Sequence, residues 1–148
     1  MRTIVELIFI IAWLGMLCVS GYVVAPILFA HLPKMTAGNI AGELFHVVSY
    51  VGIVAICGLW FSGCLKYGFR NFFGYARSNL LWLGLLLIII QEWLITPVIA
   101  ALKTHTSNWL YQYIGGSFAM WHGVSEIIYL LTTIVASIFA IIWVKSVK

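Results

Sequence analysis

Charge is scarce in this chain and aspartate is absent. Eight Lys and Arg and four Glu make only 8% of 148 residues charged. A soluble domain carries roughly a quarter charged residues, so this composition cannot cover a water-facing surface and leaves no room for a separate soluble domain. Three cysteines, Cys18, Cys57 and Cys64, lie in or at the end of apolar runs with no paired motif. That argues against a disulfide framework and for buried thiols. No glycine-rich phosphate loop and no nucleophile beside a base can be picked out, which disfavours an enzyme acting alone. The formal net charge of +4 is dispersed along the chain. Dispersed charge fits membrane topology and argues against a nucleic-acid partner.

What is present is apolar length. Hydrophobic residues make up 64% of the chain and the mean hydropathy is +1.08. At about 20 residues per spanning helix, the length accommodates four spans and the lipid bilayer is the expected partner. The fold class is an all-α, integral membrane four-helix bundle in one domain, with spans at about 4–29, 37–64, 80–102 and 118–144. Arg2 before an apolar run resembles a signal peptide. The run continues uncharged from Glu6 to about Ala30, however, and no small residue directly precedes Cys18, so the expectation is an uncleaved first span.

The connections have their own signals. Pro26 and Pro97 fall near the far ends of the first and third spans, and the backbone groups they free must find other partners. Thr36 is the expected N-cap of the second span, Ser78 or Asn79 of the third and Ser117 of the fourth. Phe69, Phe72, Phe73 and Tyr75 suit an interfacial loop, as do Trp109, Tyr111 and Tyr113 in the segment 103–116, read as an aromatic belt or a short surface helix. Four spans put both termini on one side. That side collects Arg2, Lys66, Arg70, Arg77, Lys145 and Lys148 against Lys34 and Lys103 on the other. The bias makes the termini cytoplasmic, and a bacterial inner membrane is the expected location.

The ionisable residues are sorted by depth. At about 1.5 Å rise per residue, His31, His105, Glu43, His46, Glu92, His122 and Glu126 all fall in the outer half, and Glu6 alone lies near the inner face. Asn39, Glu43, His46 and Tyr50 step by four, three and four along one face of span two. His122, Glu126, Tyr129 and Thr133 do the same in span four, and Glu92 beside Gln91 supplies span three. If the stripes face inward, three helices converge on a polar cluster.

A charged group at such depth costs roughly 2.5–3.5 kcal/mol on insertion scales. These carboxylates therefore need protonation, a histidine partner, water or a cation. Glu43-x-x-His46 has the spacing used by carboxylate-rich metal sites in helical bundles. The candidate metal ligands are His46, His122, Glu43, Glu92 and Glu126. Imidazole with carboxylate suits a transition metal such as Zn, Fe, Mn or Cu, and two histidines on facing helices suit haem b. The plain alternative is internal pairing, with His122 and Glu126 at i, i+4. Three functions follow: a non-catalytic protein that works as a homo-oligomer or accessory subunit of a larger membrane complex, a metal or haem binder, or a small carrier whose outer carboxylates exchange protons.

Four motifs also carry a resemblance. They are Gly21-Tyr22-Val23-Val24-Ala25-Pro26-Ile27-Leu28-Phe29, Ala37-Gly38-Asn39-Ile40-Ala41-Gly42-Glu43-Leu44-Phe45, Thr96-Pro97-Val98-Ile99-Ala100-Ala101-Leu102-Lys103 and Phe118-Ala119-Met120-Trp121-His122-Gly123-Val124-Ser125. Their order and spacing resemble the domain of unknown function 4149 family, similar to transmembrane protein 205. The resemblance covers nearly the whole chain. It implies a small four-span membrane protein, with Phe29, Gly38, Gly42, Phe45, Pro97, His122, Gly123 and Ser125 at family-like positions. Glu43, His46, Glu92 and Glu126 are not assigned to the family pattern.

Overall fold

A computed structural model describes residues 2–68 and 76–147. The regular elements among them are all helices. Four are long and apolar enough to cross a membrane: Thr3–His31, Lys34–Tyr67, Arg77–Thr104 and Phe118–Ser146. They are called spans one to four below. Spans one and two pack on each other, as do three and four. Span two then lies against three and span one against four, closing a ring of alternating direction. The expected aromatic loop at Phe69, Phe72, Phe73 and Tyr75 lies outside the described residues.

Small side chains let the ring close. Trp13 is 1% exposed. Its indole crosses the bundle centre between glycines of two other spans. A Cβ at Gly52 of span two would stand 3.2 Å from Trp13 Nε1, and one at Gly84 of span three 2.8 Å from its Cη2. Ala55, Ile56, Leu81, Ala136 and Phe139 complete this layer. Leucine and isoleucine at those glycines would hold the helices apart. The opposite faces carry exposed Ile11, Val54, Phe61 and Ile127, side chains suited to lipid.

Spans one and three each contain a widened π-helical turn, Ser20–Val24 and Ile90–Ile95. The cause is the proline that follows each. Pro26 and Pro97 have no N–H for the carbonyl four residues back. The backbone responds by shifting register, so that Ala25 N–H donates to Ser20 O and Thr96 N–H to Gln91 O. Thr96 Oγ1 donates to the same Gln91 carbonyl at 2.9 Å. A π turn of this kind is frequent at functional sites.

Two expected caps are displaced. Span two begins at Lys34, with Pro33 at the N-cap and Ala37 N–H donating to Pro33 O. The pre-set proline φ starts the helix before Thr36 is reached. Span three is already helical at Ala76, and Ser78 is a buried helical residue, not a cap. Ser117 does cap span four, accepting from Met120 N–H at 3.2 Å. The segment before it contains the short helix Trp109–Ile114, capped by Asn108 Oδ1. Gly115 and Gly116 break the chain at positive φ, 72° and 104°.

Candidate functional site

The wide turn of span three turns Glu92 into the bundle, where its side chain is 6% exposed and meets His46 Nδ1 of span two through Oε1. His46 remains 42% exposed. The rest of the span-two stripe, Asn39, Glu43 and Tyr50, faces outward. Next to Glu92, Gln91 Nε2 donates to Ser125 Oγ of span four at 2.8 Å. Spans two, three and four are thus linked through one turn of span three.

The span-four stripe divides. Tyr129 Oη donates to Leu17 O of span one at 2.7 Å, and Thr133 is buried. His122 and Glu126 pair with each other at 3.4 Å, with side chains 46% and 70% exposed. His122 stacks on Phe118, one turn back, with ring centroids 5.7 Å apart. All four residues do lie within about 60° of one another around the helix. The difference is in what stands opposite, because span one runs beside Tyr129 but the upper pair looks outward.

The expected convergence of His46, His122, Glu43, Glu92 and Glu126 therefore does not form. Among the described residues no group of three His, Cys, Asp or Glu gathers in a metal-binding arrangement. The site resolves into one interior pair, His46 with Glu92, and one surface pair, His122 with Glu126. Two donors fall short of the three or four protein ligands that a bound transition metal takes. His46 and His122 stand on spans two and four, which pack on spans one and three and not chiefly on each other. His31 and His105 lie exposed at the helix ends.

Glu6, near the inner face by depth, lies apart from these pairs. It is buried, with Oε1 accepting from Ser62 Oγ of span two at 2.6 Å and Oε2 from Trp143 Nε1 of span four at 2.7 Å. Lys66, Tyr67 and Arg77 line the small cavity beside it. Arg77 donates to Ser146 Oγ at 2.9 Å and to Tyr67 Oη at 3.5 Å. The carboxylate is a cross-link between three spans at the end that carries the termini. A signal was present: Glu6, Trp13 and Ser20 recur at seven residues, which is one face of a helix, and all three are buried.

Comparison with known proteins adds one match. A sequence profile of the family described as Domain of unknown function (DUF4149) matches residues 8–108. That stretch contains Glu43, His46, Gln91 and Glu92, and it ends before His122 and Glu126. No curated protein and no solved structure matches the chain.

Proposed function

The chain belongs to the DUF4149 family, and from that premise we propose that it is a non-catalytic subunit of a membrane assembly, acting beside a second copy of itself. The observation that carries this is the outward His122–Glu126 pair on an apolar helix. Ionisable residues in spanning helices almost always face a bundle interior or water, and those turned to lipid lose solvation. A neighbouring copy removes that cost. Imidazole as donor and carboxylate as acceptor on one face are self-complementary, so a twofold axis lets each pair with its counterpart. Gly123, between them, has open space where a Cβ would be, which permits close approach. The interior carboxylates Glu6 and Glu92 already have partners inside the chain and support a scaffold role. The location consistent with the charge bias is a bacterial cytoplasmic membrane with both termini inside.

The test is disulfide cross-linking in native membranes of variants carrying one cysteine along residues 119–130, in a background without Cys18, Cys57 and Cys64. A dimer band that peaks every three to four residues and fades in Glu126→Gln supports the reading. A chain that stays monomeric in membranes and in mild detergent overturns it. Elemental analysis for Fe, Cu, Zn and Mn with a visible spectrum belongs beside it. Stoichiometric metal or haem b lost in His46→Ala would replace the scaffold reading with a cofactor one. Proton-linked flux in liposomes lost in Glu92→Gln would replace it with a carrier.

A further inference from the structure

Two buried polar atoms at the bundle centre have no hydrogen-bond partner among the described residues, and both residues line the same cavity. Trp13 Nε1 is a donor and Gln91 Oε1 an acceptor. The cavity has a volume of about 20 Å³ and is lined by Trp13, Ser49, Gln91, Tyr129 and Thr132 with three aliphatic side chains. An unsatisfied buried polar group is destabilising, and two beside one cavity call for one explanation. A buried water needs about 10–15 Å³ and two to four polar partners; this cavity offers both.

We propose that the cavity is a binding site for one water molecule held at the meeting point of the four spans. The water accepts from Trp13 Nε1–H and donates to Gln91 Oε1. Its second proton goes to a hydroxyl, either Ser49 Oγ or Thr132 Oγ1. Thr132 already donates to Ile128 O at 2.8 Å and so has lone pairs to offer. The Gln91 amide is held by Ser125, which fixes its oxygen relative to the cavity. The result is a hydrogen-bonded run from Ser125 through Gln91 and the water to Trp13. It begins beside the Glu92–His46 pair and ends on the apolar layer of Ile56, Leu81, Ala136 and Phe139, which holds it apart from Glu6. This site is independent of the assembly reading, because the groups that hold the water, on Trp13, Ser49, Gln91 and Thr132, take no part in the outward His122–Glu126 pair.

The test is magnetic resonance of the 15N-labelled protein in deuterated detergent. The Trp13 indole signal is assigned by its loss in Trp13→Phe. A cross-peak from its Hε1 to water, with the sign of a long-lived contact, is expected. It should disappear in Gln91→Met, which keeps length without the acceptor, while the other six of the seven indoles hold their positions as the check on folding. It should persist in Ser49→Ala, because Thr132 then takes the second proton. A Trp13 indole with no water contact, or one whose contact is unchanged in Gln91→Met, overturns the proposal.

Discussion

Replacing Gly84 by alanine tests whether Trp13 is the piece around which the helices close. The new Cβ would stand 2.8 Å from Trp13 Cη2, 2.9 Å from Cζ2 and 3.5 Å from Ile56 Cδ1. Carbon atoms prefer about 3.5–4.0 Å, so the first two contacts overlap by more than half an ångström. The indole is rigid and fully buried, and its opposite edge lies against Gly52. It cannot swing away, so span three must move. Overpacking of this kind costs about 1–3 kcal/mol. Alanine returns up to about 1 kcal/mol of helix propensity. The net expectation is a loss of about 1–2 kcal/mol, a factor of about 5–30 in the folded-to-unfolded ratio. Reversible unfolding by dodecyl sulfate in bicelles, followed by circular dichroism, reads it directly. Gly15→Ala and Gly42→Ala are the controls, since nothing lies within 4 Å of either Cβ, and both should be neutral or slightly stabilising. Trp13→Phe combined with Gly84→Ala should show favourable coupling of about 0.5–3 kcal/mol. A Gly84→Ala protein as stable as Gly15→Ala would refute the argument.

Other expectations concern the polar cross-links. Trp143→Phe and Ser62→Ala each strip one donor from the buried Glu6 carboxylate and should cost about 1–3 kcal/mol in the same unfolding assay; Glu6→Gln should cost less than either, having an amide oxygen to keep one bond. Tyr129→Phe removes the 2.7 Å bond to Leu17 O and should cost about 1 kcal/mol, with most of the ring packing retained. Glu92→Ala should destabilise more than Glu43→Ala, because Glu92 is buried against His46 and Glu43 faces outward; equal effects would refute the inward assignment of the turn.

The spans were legible because apolar length needs no tertiary context. Their ends were less so. Thr36 and Ser78 are good capping residues in the wrong places, since a proline φ starts one helix early and the other is already helical at Ala76. The polar site was half legible. Periodicity says which residues share a face and is silent about what stands opposite. That is why Tyr129 and His122, on one face, meet a neighbouring span in one case and the outside in the other. Depth alone puts Glu6 near the inner face and does not show that it is buried. Only its seven-residue spacing to Trp13 and Ser20 marked it as inward.

The two halves of the chain echo one another, and their differences locate the chemistry. Phe45-His46-Val47-Val48-Ser49 in span two parallels Trp121-His122-Gly123-Val124-Ser125 in span four, and Pro26 in span one parallels Pro97 in span three. Each proline follows a π turn, so the odd spans break at matching positions. Counting back five residues from each proline gives Gly21 in one half and Glu92 in the other. Gly21 leaves space that the Tyr129 ring of span four occupies. Glu92 receives His46 of span two. One scaffold position therefore takes a side chain from the neighbouring pair in both halves, as an aromatic plug in the first and as an imidazole–carboxylate contact in the second. The first half is closed by shape and the second by a polar contact. A substitution that breaks this contact therefore loosens span three from span two and leaves the Tyr129 contact with span one in place.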